Sequence, residues 1–273
     1  MPELPDLTVV AEELAERAAG RVVREATAPT PILVRATPAE LGVLHGTSLG
    51  RATRRGKFLL LPFESDGRTV RLLAANPMLA GRFWLLDDGK ARVLARTGLR
   101  LQFTDGGELR YVDREMLGKL YLVAPNDLDS IPGWKEMGPD ADDPDLTLER
   151  FREQIRRHPG ELKSLLRNSR FVAGVGNAYS DEILWEARLA PLRKRSSLRP
   201  EEIDRLYEAM RRVLADATDE VRRRVPPDIQ DQHREFLKVH LHGGEPCPRC
   251  GRPLRQIGGA EATTFCRTCQ PPF

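Results

Sequence analysis

Two sets of residues carry chemistry on their own. Pro2 becomes a free secondary amine once Met1 is removed, and such an amine can attack an electrophilic carbon. An α-amino group ordinarily titrates at about 7.7–8.0, so a useful fraction of it is neutral at working pH. At the other end, Cys247-x-x-Cys250 and Cys266-x-x-Cys269 stand fifteen residues apart. Each Cys-x-x-Cys places two thiolates on one turn, and two such turns make a tetrahedral zinc shell. Four sulfurs leave no position for water, so the zinc is expected to be structural, and His240 and His242 are read as non-ligands. Two disulfides or free thiols are the competing reading. A third, weaker signal is Gly174-Val175-Gly176-Asn177 before a helical run. Glycines there can expose backbone N–H groups, and a helix N-terminus is a natural phosphate site. Alone, the motif is better explained by an ordinary helix–helix turn.

The elements that hold these groups follow from pattern. Residues 7–19 have helical spacing, with Gly20 to end the helix. Short apolar or alternating runs follow at 58–63, 70–74, 82–86, 92–95, 99–103, 109–112 and 120–123, separated by Gly- and Asp-rich turns. That rhythm predicts a β-sandwich or barrel. After Thr147 the pattern turns helical, at 148–158, 162–168, 177–187 and 200–225. Residues 251–265 can form a β-hairpin carried by the metal. The expected fold is α+β and multidomain: an N-terminal β-sandwich with flanking helices (1–125), a linker (126–146), a helical domain (147–239) and a zinc finger (240–273).

Composition sets bounds. The 273 residues hold 43 Lys and Arg against 40 Asp and Glu, with 19 against 15 over 151–240 and 20 against 23 over 1–150. A mildly basic C-terminal half suits a polyanion, and solvated helix faces suit it as well. No apolar run approaches the roughly 18 residues that span a membrane. With no basic-then-apolar leader pattern, a cytoplasmic protein without membrane partners is expected. All 4 cysteines are in the last 27 residues, which argues against a disulfide framework.

Together these pieces resemble the bacterial formamidopyrimidine-DNA glycosylase and endonuclease VIII family. Pro2-Glu3-Leu4-Pro5 matches its opening motif, and Arg54-Arg55-Gly56-Lys57-Phe58-Leu59-Leu60 its lysine-bearing strand. Residues 171–185 (FVAGVGNAYSDEILW) resemble its helix–two-turn–helix signature, and the paired Cys-x-x-Cys turns its zinc finger. The resemblance implies damaged DNA as partner, duplex or single-stranded, a cleft between the domains to hold it, and a monomer associating with the nucleoid when bound. It implies a bifunctional enzyme: base excision through a Schiff base on Pro2, then strand cleavage by β- or β,δ-elimination. Glu3 would shuttle protons. Lys57 would bind a phosphate beside the lesion, and Asn177 and Lys163 would hold the DNA backbone.

Several positions depart from the family pattern. Asp6 replaces a glutamate, a shorter carboxylate near the sugar. Leu79 replaces an intercalating methionine and stays an apolar wedge. Glu115 stands where an arginine enters the duplex, and Leu117 where a phenylalanine stacks. A carboxylate cannot reproduce arginine's donor fork, so recognition of the opposite base should differ. Glu261 stands where an arginine grips the lesion phosphates, with Arg255 or Arg267 as substitutes. Residues 225–243 look short where relatives carry a lesion-capping loop. The expectation is a glycosylase and lyase with altered lesion preference. The alternative is a damaged- or abasic-DNA-binding relative with weak or no excision.

Overall fold

The computed structural model describes residues 1–259 and 261–271. The chain forms two compact units, Met1–Lys135 with Val221–His233, and Glu136–Glu220 with Arg234–Phe273.

The first unit is a two-layer β structure with a helix. Helix α1 (Leu4–Arg17) opens the chain. One sheet has the order β2 (Val34–Arg35), β10 (Lys119–Val123), β6 (Arg68–Asn76), β5 (Phe58–Ser65), β3 (Ser48–Leu49), with β4 (Thr53–Arg55) also on β5. The other runs β1 (Val23–Thr27), β8 (Thr97–Phe103), β9 (Glu108–Val112), β7 (Arg82–Leu86). Only β2–β10 is parallel among the described pairs. Period-two alternation sends Leu59, Leu61 and Phe63 inward from one sheet and Leu99, Leu101 and Phe103 from the other. Leu14, Val10 and Ala11 of α1 join the same core at helical spacing.

Two expectations need correction. Helix α1 begins at Leu4, not at residue 7, because Pro5 is tolerated in a first turn whose N–H groups have no intrahelical partner. The 92–95 run is not a strand; it is exposed and irregular. The carbonyls of Ala91 and Arg92 accept the Arg110 guanidinium at 2.8 and 3.1 Å, which takes the place of a neighbouring strand. Strands β1 to β4 and the short helix α2 (Pro38–Gly42) carried too little pattern to be foreseen.

The segment between sheet and helices has almost no regular structure, yet it is fastened. Ile131 and Trp134 are buried, and Trp134 meets Phe58 edge-on at 5.5 Å and lies under the Arg55 guanidinium at 4.7 Å. The second unit holds α3 (Leu148–Arg157), α4 (Leu162–Arg167), α5 (Asn177–Glu186) and most of α6 (Pro200–Arg224). Its last element is the hairpin β11 (Arg255–Ile257) and β12 (Thr263–Phe265). The residues of α5 from Ala178 to Trp185 are all buried, so its Asp181 and Glu182 must find partners inside. Among the described residues no helix is long and apolar enough to cross a membrane.

Candidate active site and nucleic-acid interface

The early start of α1 decides the geometry at the N-terminus. Glu3 becomes the residue that caps the helix, in extended backbone, and it is 1 % exposed. The Asp6 carboxylate folds back to accept the Glu3 N–H at 2.7 Å. A carboxylate in the first turn also faces the positive end of the helix dipole. Asp6 is buried, and it accepts as well from Gln232 Nε2 at 3.3 Å. The same amide donates to the Met1 carbonyl at 3.2 Å, and Arg82 donates to Gln232 Oε1 at 2.6 Å. A narrow crevice runs here, with Pro2, Asp6, Pro77, Arg82, Ile229 and Gln232 among its walls. Ile229 anchors in the sandwich core, so residues 225–232 pack on this unit as a wall of the crevice. Arg82 and Gln232 had no motif to announce them; only the fold brings them to Pro2.

Lys57 sits with Gly56 in the two-residue turn between β4 and β5, closed by the Arg55–Phe58 pair. Gly56 has φ +56°, the left-handed backbone such a turn requires. Arg54 laces this turn to the helix: its Nε donates to Thr8 Oγ1 at 3.0 Å and its Nη1 to the Gly56 carbonyl at 3.2 Å. The lysine turn and the first turns of α1 are therefore tied by one side chain. Leu79 and Leu117 sit on the loops after β6 and β9, 50 % and 46 % exposed, and Glu115 is exposed beside Leu117.

In the second unit the glycine turn does cap a helix, with Gly176 as cap and Asn177 first in α5. Asn177 Nδ2 donates to the Ala262 carbonyl at 3.0 Å, while its buried Oδ1 has no partner among the described residues. Lys163 is buried as well. Its ammonium donates to Asp181 Oδ1 at 2.6 Å and to the Ala262 carbonyl at 3.1 Å. The second Asp181 oxygen faces His240 Nδ1 at 2.8 Å and accepts the Thr264 N–H at 3.2 Å. Glu182 accepts three backbone N–H groups, from Lys238, Val239 and His240, at 2.8–3.0 Å. Burial still raises the Glu182 pKa against those three donors. The finger thus hangs on α4 and α5 by buried polar bonds. Glu261 pairs with Arg167 of α4 at 2.8 Å.

The sulfurs of Cys247, Cys250, Cys266 and Cys269 lie within 4.8 Å of one another, with Cys247–Cys269 at 4.0 Å and Cys250–Cys266 at 3.5 Å. A tetrahedron of Zn–S bonds of about 2.3 Å has edges of about 3.8 Å, so the four fit one zinc ion. Burial works against ionisation of Cys247, but the Trp185 indole N–H, 3.4 Å from its sulfur, and two backbone N–H groups hold it down to about 6. Burial and the neighbouring thiols push Cys269 up to about 12. Four thiolates this close need a cation between them. His240 and His242 point elsewhere, to Asp181 and Glu245. One structural zinc is held by the four cysteines.

Comparison with known proteins bears on all three parts. Residues 1–120 match the formamidopyrimidine-DNA glycosylase N-terminal domain, 137–224 the formamidopyrimidine-DNA glycosylase H2TH domain, and 244–272 the zinc finger found in FPG and IleRS. The formamidopyrimidine-DNA glycosylase of Symbiobacterium thermophilum is 34 % identical over 99 % of this chain and 90 % of its own. That of Listeria innocua is 31 % identical over 99 % and 100 %. Lactococcus lactis Fpg, solved with DNA containing N7-benzyl-Fapy-dG, superposes with a TM-score of 0.89 at 27 % identity over 99 % and 100 % of the two chains. The same enzyme with abasic-site DNA gives 0.88 over 98 % and 99 %. With all three domain patterns present in order and whole-length relatives above 30 % identity, this chain belongs to the formamidopyrimidine-DNA glycosylase family.

Proposed function

We propose that the protein is a bifunctional DNA glycosylase and AP lyase of base excision repair, with Pro2 as nucleophile. The observation that carries this is Pro2 beside the buried Glu3 at the mouth of α1, on the wall of a crevice in the N-terminal unit. After removal of Met1, the Pro2 nitrogen attacks C1′ of the damaged nucleotide. The N-glycosidic bond breaks and the base leaves with its bonding electrons and a proton. Opening of the sugar then leaves an iminium on Pro2. Glu3 delivers a proton to the ring oxygen and afterwards accepts the C2′ proton, which expels the 3′ phosphate by β-elimination. A second elimination expels the 5′ phosphate.

Lys57 binds a phosphate of the lesion strand from its turn. Asp6 acts indirectly, by fixing the Glu3 backbone and the Gln232 amide. Residues 1–125 supply the chemistry, and 147–239 with the finger at 240–273 hold the DNA through Asn177, while Lys163, its ammonium buried against Asp181 and the Ala262 carbonyl, acts indirectly by fixing the finger. Zinc keeps the finger folded and takes no part in the reaction. Lesion choice departs from the family's usual arrangement, because Glu115 and Glu261 are anionic where arginines are expected. The protein works on damaged DNA as a monomer.

A second reading, a damaged-DNA binder with little excision, draws on the same two glutamates. Borohydride trapping on an abasic duplex separates the two. An adduct that disappears in Pro2→Gly supports the enzyme, whereas retention of the duplex without any adduct supports the binder. Excision of 8-oxoguanine opposite cytosine at the rate of an ordinary family member would remove the altered preference.

A further inference from the structure

Two loops of the N-terminal unit carry exposed apolar side chains. Residues 77–81 join β6 to β7, with Leu79 at the tip, and 113–118 join β9 to β10, with Met116 and Leu117. Each loop holds a methionine in left-handed backbone, Met78 at φ 50° and Met116 at φ 56°. Such backbone persists only where its surroundings over-determine it.

One side chain touches both loops. Tyr111 lies on β9, fully buried, with its ring edge-on to Phe83 at 5.2 Å. Its hydroxyl donates to the Pro77 carbonyl of the first loop at 3.4 Å and faces the charge of the Asp113 carboxylate in the second. Asp113 is itself fully buried and accepts the Glu115 N–H at 3.0 Å and the Gly118 N–H at 2.6 Å, which shapes the second loop. A Cβ added at Gly81 would fall 1.9 Å from the Tyr111 oxygen, and one added at Gly118 would fall 1.8 Å from it. One glycine from each loop is therefore pressed against the same atom, closer than any other residue allows. Burial, then the charge of Asp113, pushes the phenol far above its ordinary range, so the hydroxyl keeps its proton as a donor.

We propose that Tyr111 is a positioning residue that fixes the two loops at one height, so that Leu79 and Leu117 enter a damaged duplex as a single wedge. The proposal rests on the DNA-repair reading above, and its test has arms that separate the two. Tyr111→Phe keeps the ring and removes only the shared hydroxyl. Three quantities are measured: single-turnover excision from a lesion-bearing duplex, the fluorescence rise of 2-aminopurine opposite the lesion on binding, and borohydride trapping on single-stranded abasic DNA. Trapping on a single strand needs the nucleophile but no wedge.

Excision from the duplex should fall by about tenfold, the effect of one lost hydrogen bond. The 2-aminopurine amplitude should fall with it, while single-strand trapping stays unchanged. In the otherwise native protein, Leu79→Ala and Leu117→Ala should be non-additive; with Tyr111→Phe present they should become independent. Gly81→Ala leaves Tyr111 in place and pushes one loop off it, and must give the same selective loss. The proposal fails if Tyr111→Phe leaves duplex excision and 2-aminopurine amplitude within about twofold of native. It also fails if the two leucines act independently in the native protein. Absence of any native adduct on both single-stranded and duplex abasic DNA overturns the enzyme reading alone; the fluorescence and leucine coupling then decide the wedge.

Discussion

The two regions that bear the candidate chemistry are built by different means. Around Pro2 the decisive bond spans three residues, from the Asp6 carboxylate to the Glu3 N–H. Around the finger the decisive bonds span the second unit, with Lys163 reaching Ala262 across 99 residues and Asn177 reaching it across 85. The first is a helix cap, which forms with its own helix. The second is a buried ionic network, which exists only after α4, α5 and the finger are assembled. On the proposed reading, a local device holds the nucleophile with few dependencies, while a distributed one makes DNA retention sensitive to any of its members.

That contrast can be broken most forcefully at the metal. Chelation should remove on the order of 10 kcal/mol of binding energy that is also folding energy for the finger. The second unit should lose its cooperative melt and its hold on DNA, while the β-sheet circular dichroism of the first persists. Simultaneous collapse of both units would show that the regions are not independently stabilised.

Next in size is Lys163→Met. It leaves Asp181 buried with one fewer partner, His240 and the Thr264 N–H remaining, and should cost about 3–5 kcal/mol in denaturant unfolding. Asp6→Asn at the other region keeps an acceptor for the Glu3 N–H, and should cost about 1 kcal/mol or less. Comparable losses at the two sites would contradict the contrast.

The helical unit also has a titrating clamp. Glu202 is held down to about 2 by its hydrogen bonds to the Arg193 guanidinium, against a partial burial penalty, from an ordinary 4.5. A depressed carboxylate stabilises above its unfolded pKa, and that contribution is lost as the pH falls through the folded one. Glu202→Gln should therefore lower the melting temperature at pH 7, and the difference from native should close between about 4.5 and about 2.

The smallest effect, and the sharpest on recognition, is Glu261→Arg. The pair with Arg167 is exposed, so its loss should cost at most about 1 kcal/mol of stability. Each positive charge brought to a phosphate should steepen the salt dependence of duplex binding by about 0.9 in log–log slope. An unchanged slope would mean that residue 261 never meets the DNA backbone.

Much of the frame was legible because it rests on short-range pattern. Period-two runs located β5 to β10, apart from the 92–95 segment, and helical spacing located α3 to α6. The false strand failed for a long-range reason: Arg110, buried on β9, takes the carbonyls that a strand would have paired. The start of α1 was missed because two prolines hid a helix whose cap residue is Glu3. Around the candidate site, Pro2 and the cysteines could be named from type and spacing, and Glu3 and Lys57 from the family resemblance. Arg54, Arg82 and Gln232 could not, since a lone Arg or Gln in a loop has no periodicity to betray it.

By itself the sequence determined the candidate reactive groups, a proline next to a glutamate behind Met1, and four thiols spaced for one zinc. Those depend on covalent neighbours and turn geometry, which the chain specifies locally. Only the tertiary structure decided their surroundings. It buried Lys163 against Asp181, placed Arg167 beside Glu261, drew Gln232 onto Asp6 and set Tyr111 beneath two loops. Each of these joins groups from separate elements, and in a buried interior a polar group must take whatever partner the packing brings within reach.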